Sequence, residues 1–368
     1  IILGAGLAGL RAAISAKETD KNLTIAVVSK LYFLRSHSVS AEGGTAAVLY
    51  EGDSYDLHAY DTIKGSDYLA DQDAVERFVR TMPNEILYLD HWGMPWSRRE
   101  DGKIAQRPFG GHSFPRATYA ADRTGFHAMH TLYERLLTYD GVEKFQEYFA
   151  TSIIIDNGRF NALTAINMKT GEYEIFQGKG LLIATGGLGR LYPFTTYSHT
   201  VTGDGAAMAL RAGMPLEDME FVQFHPTGLV PSGILITEGA RGEGGYLINK
   251  DGERFMQRYA PQKMELAPRD VVSRSIMWEI QAGRGFEGPW GPYVLLDLRH
   301  LGDEKIKERL PAIRDLAIKF NGIDPAKEPI PVRPAAHYTM GGIQVDIDGM
   351  SPIPGIFAAG EAACVSIH

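Results

Sequence analysis

The sequence predicts an α/β protein: a Rossmann-like nucleotide-binding domain interrupted by an inserted α+β domain. Three observations predict it. A glycine loop, Gly4-x-Gly6-x-x-Gly9, stands between a strand end at residues 1–3 and an alanine-rich helix over 10–17. A second apolar strand over 24–29 completes a βαβ unit. Two later apolar strands, 180–184 and 355–360, also end in glycine turns and flank a long stretch of different texture.

The elements follow in order. Residues 36–48 are polar, contain glycine and have low helix propensity, so they are expected to form a loop. Val75, Phe78, Val79, Met82, Ile86 and Leu89 recur at helical spacing and predict a helix over 70–92. A second helix is expected over 125–137, and a third over 204–213. Segments 153–156, 162–168 and 173–176 read as strands of a meander. From about Pro215 the chain mixes Gly/Pro-rich loops with shorter helices, and 286–293 is dense in Gly, Pro and aromatics. One long amphipathic helix is expected over 303–320, before a proline-rich link at 325–334. The domain division drawn from this is 1–216 with 336–368 for the nucleotide domain, and 217–335 for the inserted one.

Composition narrows the class. The 368 residues are enough for two domains, with 44% hydrophobic and 22% charged residues. A formal net charge of -8 argues against nucleic acid as the main partner, because phosphate backbones need a basic surface. A few buried Arg and His residues can still make a local positive site for a small anion. The single cysteine, Cys364, excludes an internal disulfide, an iron–sulfur cluster and a cysteine-rich zinc site, and points to a reducing compartment. No metal-ligand set is assigned. No apolar run approaches a membrane span, and no signal peptide is visible. Ile1 stands directly against the glycine loop and the chain stops at His368 after another glycine turn, so a fragment is expected.

Gly4-Ala5-Gly6-Leu7-Ala8-Gly9 has the spacing that lets a backbone turn tightly and approach a pyrophosphate, with a helix N-terminus behind it. A glycine-tolerant turn in an α/β core gives the same letters. The ribose-binding acid of a plain NAD site is absent about 20 residues on, where Ser29-Lys30 stands. The later turns Ala184-Thr185-Gly186-Gly187 and Ala359-Gly360-Glu361 are expected of a large flavin fold and are not needed by an NAD dehydrogenase.

The loop Arg35-Ser36-His37-Ser38-Val39-Ser40-Ala41-Glu42-Gly43-Gly44-Thr45 carries little apolar surface. In this setting His37 resembles the flavin-linking histidine of the succinate dehydrogenase/fumarate reductase flavoprotein family. The resemblance runs through GAGLAGLRAA, RSHSVSAEGGTAAV, WGMPWSRR, FGGHSFPR, DRTGFHAMHTL, VTGDG, MEFVQFHPTG, TEGARGEGG, RDVVSRS, IPVRPAAHYTMGGI and GIFAAGEA, which together span nearly the whole chain. It implies a glutathione-reductase-like FAD domain with a capping domain inserted, and FAD joined through its 8α-methyl to His37. It places around FAD the loop Gly4 to Gly9, Ser29, Lys30 and Leu31, then His37, Ser38, Ser40, Gly43, Gly44 and Thr45. Tyr148, Phe149, Ala150, Ala184, Thr185, Gly186, Asp204, Tyr338 and Glu361 complete that set.

Interconverting succinate and fumarate moves a hydride to or from flavin and a proton on the neighbouring carbon. Such a site must hold two carboxylates with Arg, His and hydroxyl donors and must supply a proton path. The resemblance makes His225, Thr237, Glu238 and His337 the substrate-binding residues. It makes Arg269 the proton donor or acceptor, with Glu238 and Arg241 relaying protons to it and His225 beside them. Read singly, Glu238 and Arg241 at i,i+3 are an ordinary ion pair, Arg269-Asp270 a structural pair near a helix start, and His225 before Pro226 a loop residue. Free guanidinium hardly deprotonates, so Arg269 takes its role from the resemblance alone.

The same resemblance implies an iron–sulfur subunit as partner and, through it, membrane anchor subunits and quinone. It implies a peripheral position on the cytoplasmic face of the cell membrane or the matrix face of the mitochondrial inner membrane. The family's next substrate-binding Arg and its helical domain lie past the last residue here, so this chain alone is not expected to turn over. Ala240 stands where many members carry Cys, and thiol alkylation is expected to spare the site. Two other readings stay open: a soluble fumarate reductase or L-aspartate oxidase, against which His37 argues, and a flavin-fold protein serving only as an assembly module.

Overall fold

A computed structural model describes residues 1–367. Its centre is a five-stranded parallel sheet in the order Ile356–Ala358, Leu181–Ile183, Ile2–Leu3, Ile25–Ser29, Val142–Gln146. Ile2 pairs with Leu182 on one side and Val27 on the other, and Leu182 pairs with Phe357. The three strands that end in glycine turns are thus neighbours, and their turns open at the same edge. Parallel strands are covered on both faces, which is why these segments read as unbroken apolar runs. Leu3, Val28, Ile183 and Ala358 pack with Met208, Ala209 and Ile343 on one face. Ile2, Val27, Leu10, Ile14, Met129 and Leu132 pack on the other.

The first helix runs Leu7–Thr19, so Gly9 lies inside it rather than in the turn. A β-carbon at Gly9 would stand 2.0 Å from the Gly4 carbonyl oxygen. Gly4 has φ +109°, and a β-carbon there would stand 2.1 Å from the Ala184 oxygen. Both positions need glycine because two backbones meet there. The meander is a separate antiparallel sheet of Tyr148–Asp156, Arg159–Asn167 and Tyr173–Gln177.

A further antiparallel sheet, of four strands, has the order Val222–Leu229, Ile330–Thr339, Val294–Asp297, Tyr246–Ile248. Its apolar face meets the helix Arg269–Gln281 and the helices near 303–321 in a cluster drawn wholly from residues 229–332. The strand Ile330–Thr339 carries the chain back toward the parallel sheet.

Several expectations change. The single helix over 303–320 is two, Asp303–Arg309 and Pro311–Asn321. Pro311 has no N–H to donate, and Leu310 before it is bent out to φ -135°, ψ 41°. The loop over 36–48 contains a short 3-10 turn, His37–Ser40, and the two-residue strand Thr45–Ala46. The helix Tyr55–Gly65 and the edge strand Val142–Gln146 have no expectation above. The helix is polar outward and buries only His58, and the strand buries no residue fully, so neither carries a strong apolar period. Among the described residues no helix is long and apolar enough to cross a membrane.

Candidate active site

A cavity of about 740 Å³ lies at the carboxyl edge of the parallel sheet and reaches to the antiparallel one. Open α/β sheets bind ligands at this edge, where the βα turns diverge. Every residue expected around FAD lines the cavity except Gly9, and so do His225, Thr237, Glu238, Arg269 and His337. Gly9 is held inside the helix, and Arg241 stands behind Glu238, away from the cavity wall.

At the sheet end, the helix Leu7–Thr19 begins without a side-chain cap on Gly6 and without an acid in its first turn. Its positive end is therefore left for an anion. Ser38 Oγ accepts from Leu7 N at 3.2 Å and ties the histidine loop to this helix start. Thr185 Oγ1 is buried on the cavity wall with no hydrogen-bond partner. Lys30 donates to Thr202 Oγ1 at 2.9 Å and pairs with Asp204. Asp204 thus brings an acid to this end of the cavity from far along the chain, a position that spacing after the second strand does not reveal. This glycine-bounded cradle, with an uncapped helix start and Ser38, Thr185 and Lys30 on its wall, fits a dinucleotide. Glu361 accepts from Thr339 N at 2.9 Å and from the Tyr197 hydroxyl, so it is no exposed loop acid. Burial raises its carboxyl above the usual range.

The other end is built by two adjacent strands. Gln223 pairs with Tyr338 and Phe224 with Ala336, so His337 is an extra residue on its strand. The bulge turns it toward His225, and the two rings lie 4.9 Å apart. His225 is 1% exposed. Its Nδ1 accepts from Thr227 N at 3.2 Å, so in the neutral ring Nε2 carries the proton and is a donor. Burial first, then the neighbouring His337 and Arg269, hold His225 well below the usual imidazole range. Burial and Arg269 do the same to His337. Thr196 Oγ1 fixes His337 Nδ1 at 2.8 Å.

Glu238 opens the short helix Glu238–Gly242, capped by Thr237. Its carboxylate meets Arg269 Nε at 2.8 Å and Arg241 Nη2 at 3.8 Å, and it accepts from Gly110 N. Burial alone would raise Glu238, but the two guanidinium charges and these hydrogen bonds outweigh it and hold the group at about 2. Arg241 is fully buried and donates to the Glu265 carbonyl. Two guanidiniums, one carboxylate and two neutral imidazoles leave one net positive charge, which suits a bound anion. Arg269 Nη1 donates to Gln223 Oε1 at 2.8 Å, so its guanidinium is gripped from both sides.

Four residues at this end have no expectation above. Gln223 acts across 46 positions of chain. Phe109 lines the cavity, and a β-carbon at Gly43 would touch its ring at 2.8 Å. Arg107 donates to the Gly43 carbonyl at 3.1 Å and lies over the Tyr119 ring. Glu42 lines the cavity with its carboxyl raised well above the usual range, by burial and then by Asp122. Gln223, Phe109 and Glu42 stand within motifs already singled out, each only as one letter of its motif, and Arg107 stands outside them.

A family model described as FAD binding domain matches residues 1–368. The chain is 53% identical to the fumarate reductase flavoprotein subunit of Mycobacterium tuberculosis over 377 residues, covering all of this chain and 65% of that protein. It is 49% identical to the succinate dehydrogenase flavoprotein subunit of Rickettsia bellii, covering 64% of it. In structure it matches a mutant of E. coli quinol fumarate reductase with a TM-score of 0.98 and 49% identity, over the whole of this chain and 65% of that one. The chain thus spans about two thirds of the length of the relatives it matches. It belongs to the FAD binding domain family, and the relatives it resembles at this level are flavoprotein subunits of fumarate reductase and succinate dehydrogenase.

Proposed function

We propose that the protein to which this chain belongs is the flavoprotein subunit of a succinate:quinone oxidoreductase, interconverting succinate and fumarate. The observation that carries the reading is Arg269, held between Glu238 and Gln223 on the wall of the cavity that also contains the dinucleotide cradle. A group that must deliver a proton to one carbon needs fixed geometry, and two-sided anchoring supplies it.

The residues divide the work. His225 Nε2, the Thr237 hydroxyl and His337 hold the dicarboxylate. Arg269 gives the proton to carbon in the direction of fumarate reduction and takes it in the other. Glu238, an ionised carboxylate between Arg269 and the buried Arg241, relays the replacement proton to Arg269 from the Arg241 side. Bound FAD supplies the hydride exchange. His37 is the proposed point of covalent attachment: it lines the cavity, and Ser198 N donates to its Nδ1 at 3.5 Å, leaving Nε2 for the flavin. Burial and Arg190 hold the ring uncharged, at about 4, and with Nδ1 accepting, Nε2 carries the one ring proton, which leaves on attachment.

The domain boundary belongs to the same reading: 217–335 as the capping domain, with 1–216 and 336–368 as the FAD domain. The apolar cluster confined to 229–332 supports it. The proposed partners are an iron–sulfur subunit and, through it, membrane anchors and quinone, with the subunit peripheral on the cytoplasmic or matrix face. Full-length protein in its membrane fraction should reduce a quinone analogue with succinate and lose that activity in Arg269→Gln. Acid precipitation should leave yellow flavin on the protein. Membranes inactive with both succinate and fumarate contradict the reading.

A further inference from the structure

Tyr197 is a buried tyrosine with no part in the chemistry above, yet it touches two of the groups around the flavin site. It is 2% exposed, and its ring is stacked on His37 with centroids 5.1 Å apart and planes 22° apart. Its hydroxyl donates to Glu361 Oε1 and lies 3.4 Å from Thr339 Oγ1. The surroundings are shaped to admit it. A β-carbon at Gly189 would stand 1.8 Å from Cδ2 of the ring. One at Gly187 would stand 2.4 Å from the Glu361 carboxylate that anchors the hydroxyl. The next backbone N–H, that of Ser198, is the one that engages His37 Nδ1. A single loop therefore packs the face of the imidazole and occupies one of its two nitrogens.

We propose that Tyr197 is a positioning residue for attachment of the flavin to His37. Its ring fixes the plane of the imidazole and its hydroxyl, tied to Glu361, fixes the ring, so that Nε2 meets the 8α-carbon at the right angle. The inference rests on the covalent reading of His37 and goes beyond it in assigning how the nucleophile is held. Attachment replaces the Nε2 proton and one 8α-methyl hydrogen by an N–C bond. Two protons and two electrons leave, and the electrons pass to fumarate or dioxygen as acceptor. Tyr197 takes no part in that exchange.

The test uses full-length protein carrying Tyr197→Leu or Tyr197→Phe. Three quantities are read: acid-stable flavin against time, total flavin bound before acid, and Tm. A stack of this kind contributes about a factor of ten in rate when it is needed only for alignment. Tyr197→Leu should therefore bind FAD but attach it about tenfold more slowly. Tyr197→Phe keeps the stack, loses the anchor and should slow attachment less. If Tyr197→Leu does not fold, Tyr197→Phe decides alone: slower attachment at unchanged Tm and total flavin supports the role. Attachment at the wild-type rate in the variants that fold overturns it. Wild-type flavin that washes out in acid would instead overturn the covalent reading itself, before any variant is compared.

Discussion

Glu238 is the residue on which the site's electrostatics turn. Its carboxylate is held at about 2 against an ordinary 4.5, so it contributes stability that is full above about 4.5 and lost as pH falls toward 2. Glu238→Gln leaves Arg241 and Arg269 without their anion. Removing one partner of a buried pair costs about 3 kcal/mol, so a clear fall in Tm at neutral pH is expected, shrinking as pH approaches 2. Thermal scans of both proteins across that range check it, and an equal Tm at pH 7 would contradict the pairing. His225 and His337 act in the same direction at higher pH. Both are held below 6.5, so the unfolded chain takes up protons there that the fold refuses. Stability should fall as pH drops below about 6.5, and His225→Asn should lessen that slope. Arg269→Lys keeps a charge but loses the two-sided grip. A misplaced proton donor typically forfeits about 10²-fold or more of turnover, with substrate binding changed far less.

At the scale of elements, the nucleotide cradle depends on backbones meeting at glycine. Gly4→Ala puts a β-carbon 2.1 Å from the Ala184 oxygen at a φ that L side chains resist, so it separates the first strand's turn from the second. Flavin per mole of purified full-length protein should fall more than tenfold. Retention of full flavin would mean that the turns need not touch. This half was legible in the sequence because local sterics set the glycine spacing. The capping half was not. The break at Pro311 was written in the sequence, but the apolar period on both sides hid it. The bulge that presents His337 arises from pairing between strands more than 100 residues apart, and no local pattern marks it.

For the whole molecule, the candidate site forms where two sheets of different hand in pairing meet. The parallel one supplies the dinucleotide cradle and the antiparallel one supplies His225 and His337. That division was legible as a change of texture near Pro215 and a return of glycine-turn strands at the end. What joins the halves was not legible. Gln223 grips Arg269 across 46 positions, Lys30 finds Asp204 across 174, and Tyr197 finds Glu361 across 164. Such contacts follow from the fold and leave no spacing to read, which is why the roles proposed for Arg269 and His337 rest on resemblance rather than on pattern. The bridge between the halves also sets the central claim, that one cavity holds a flavin and a dicarboxylate together.

The most direct test is anaerobic titration of purified full-length flavoprotein with succinate and then fumarate, followed by flavin absorbance. The account predicts that succinate bleaches the flavin, that fumarate restores it, and that Arg269→Gln does neither while dithionite still bleaches it. A wild-type flavin that dithionite reduces but succinate leaves untouched, and that fumarate cannot reoxidise, would contradict it.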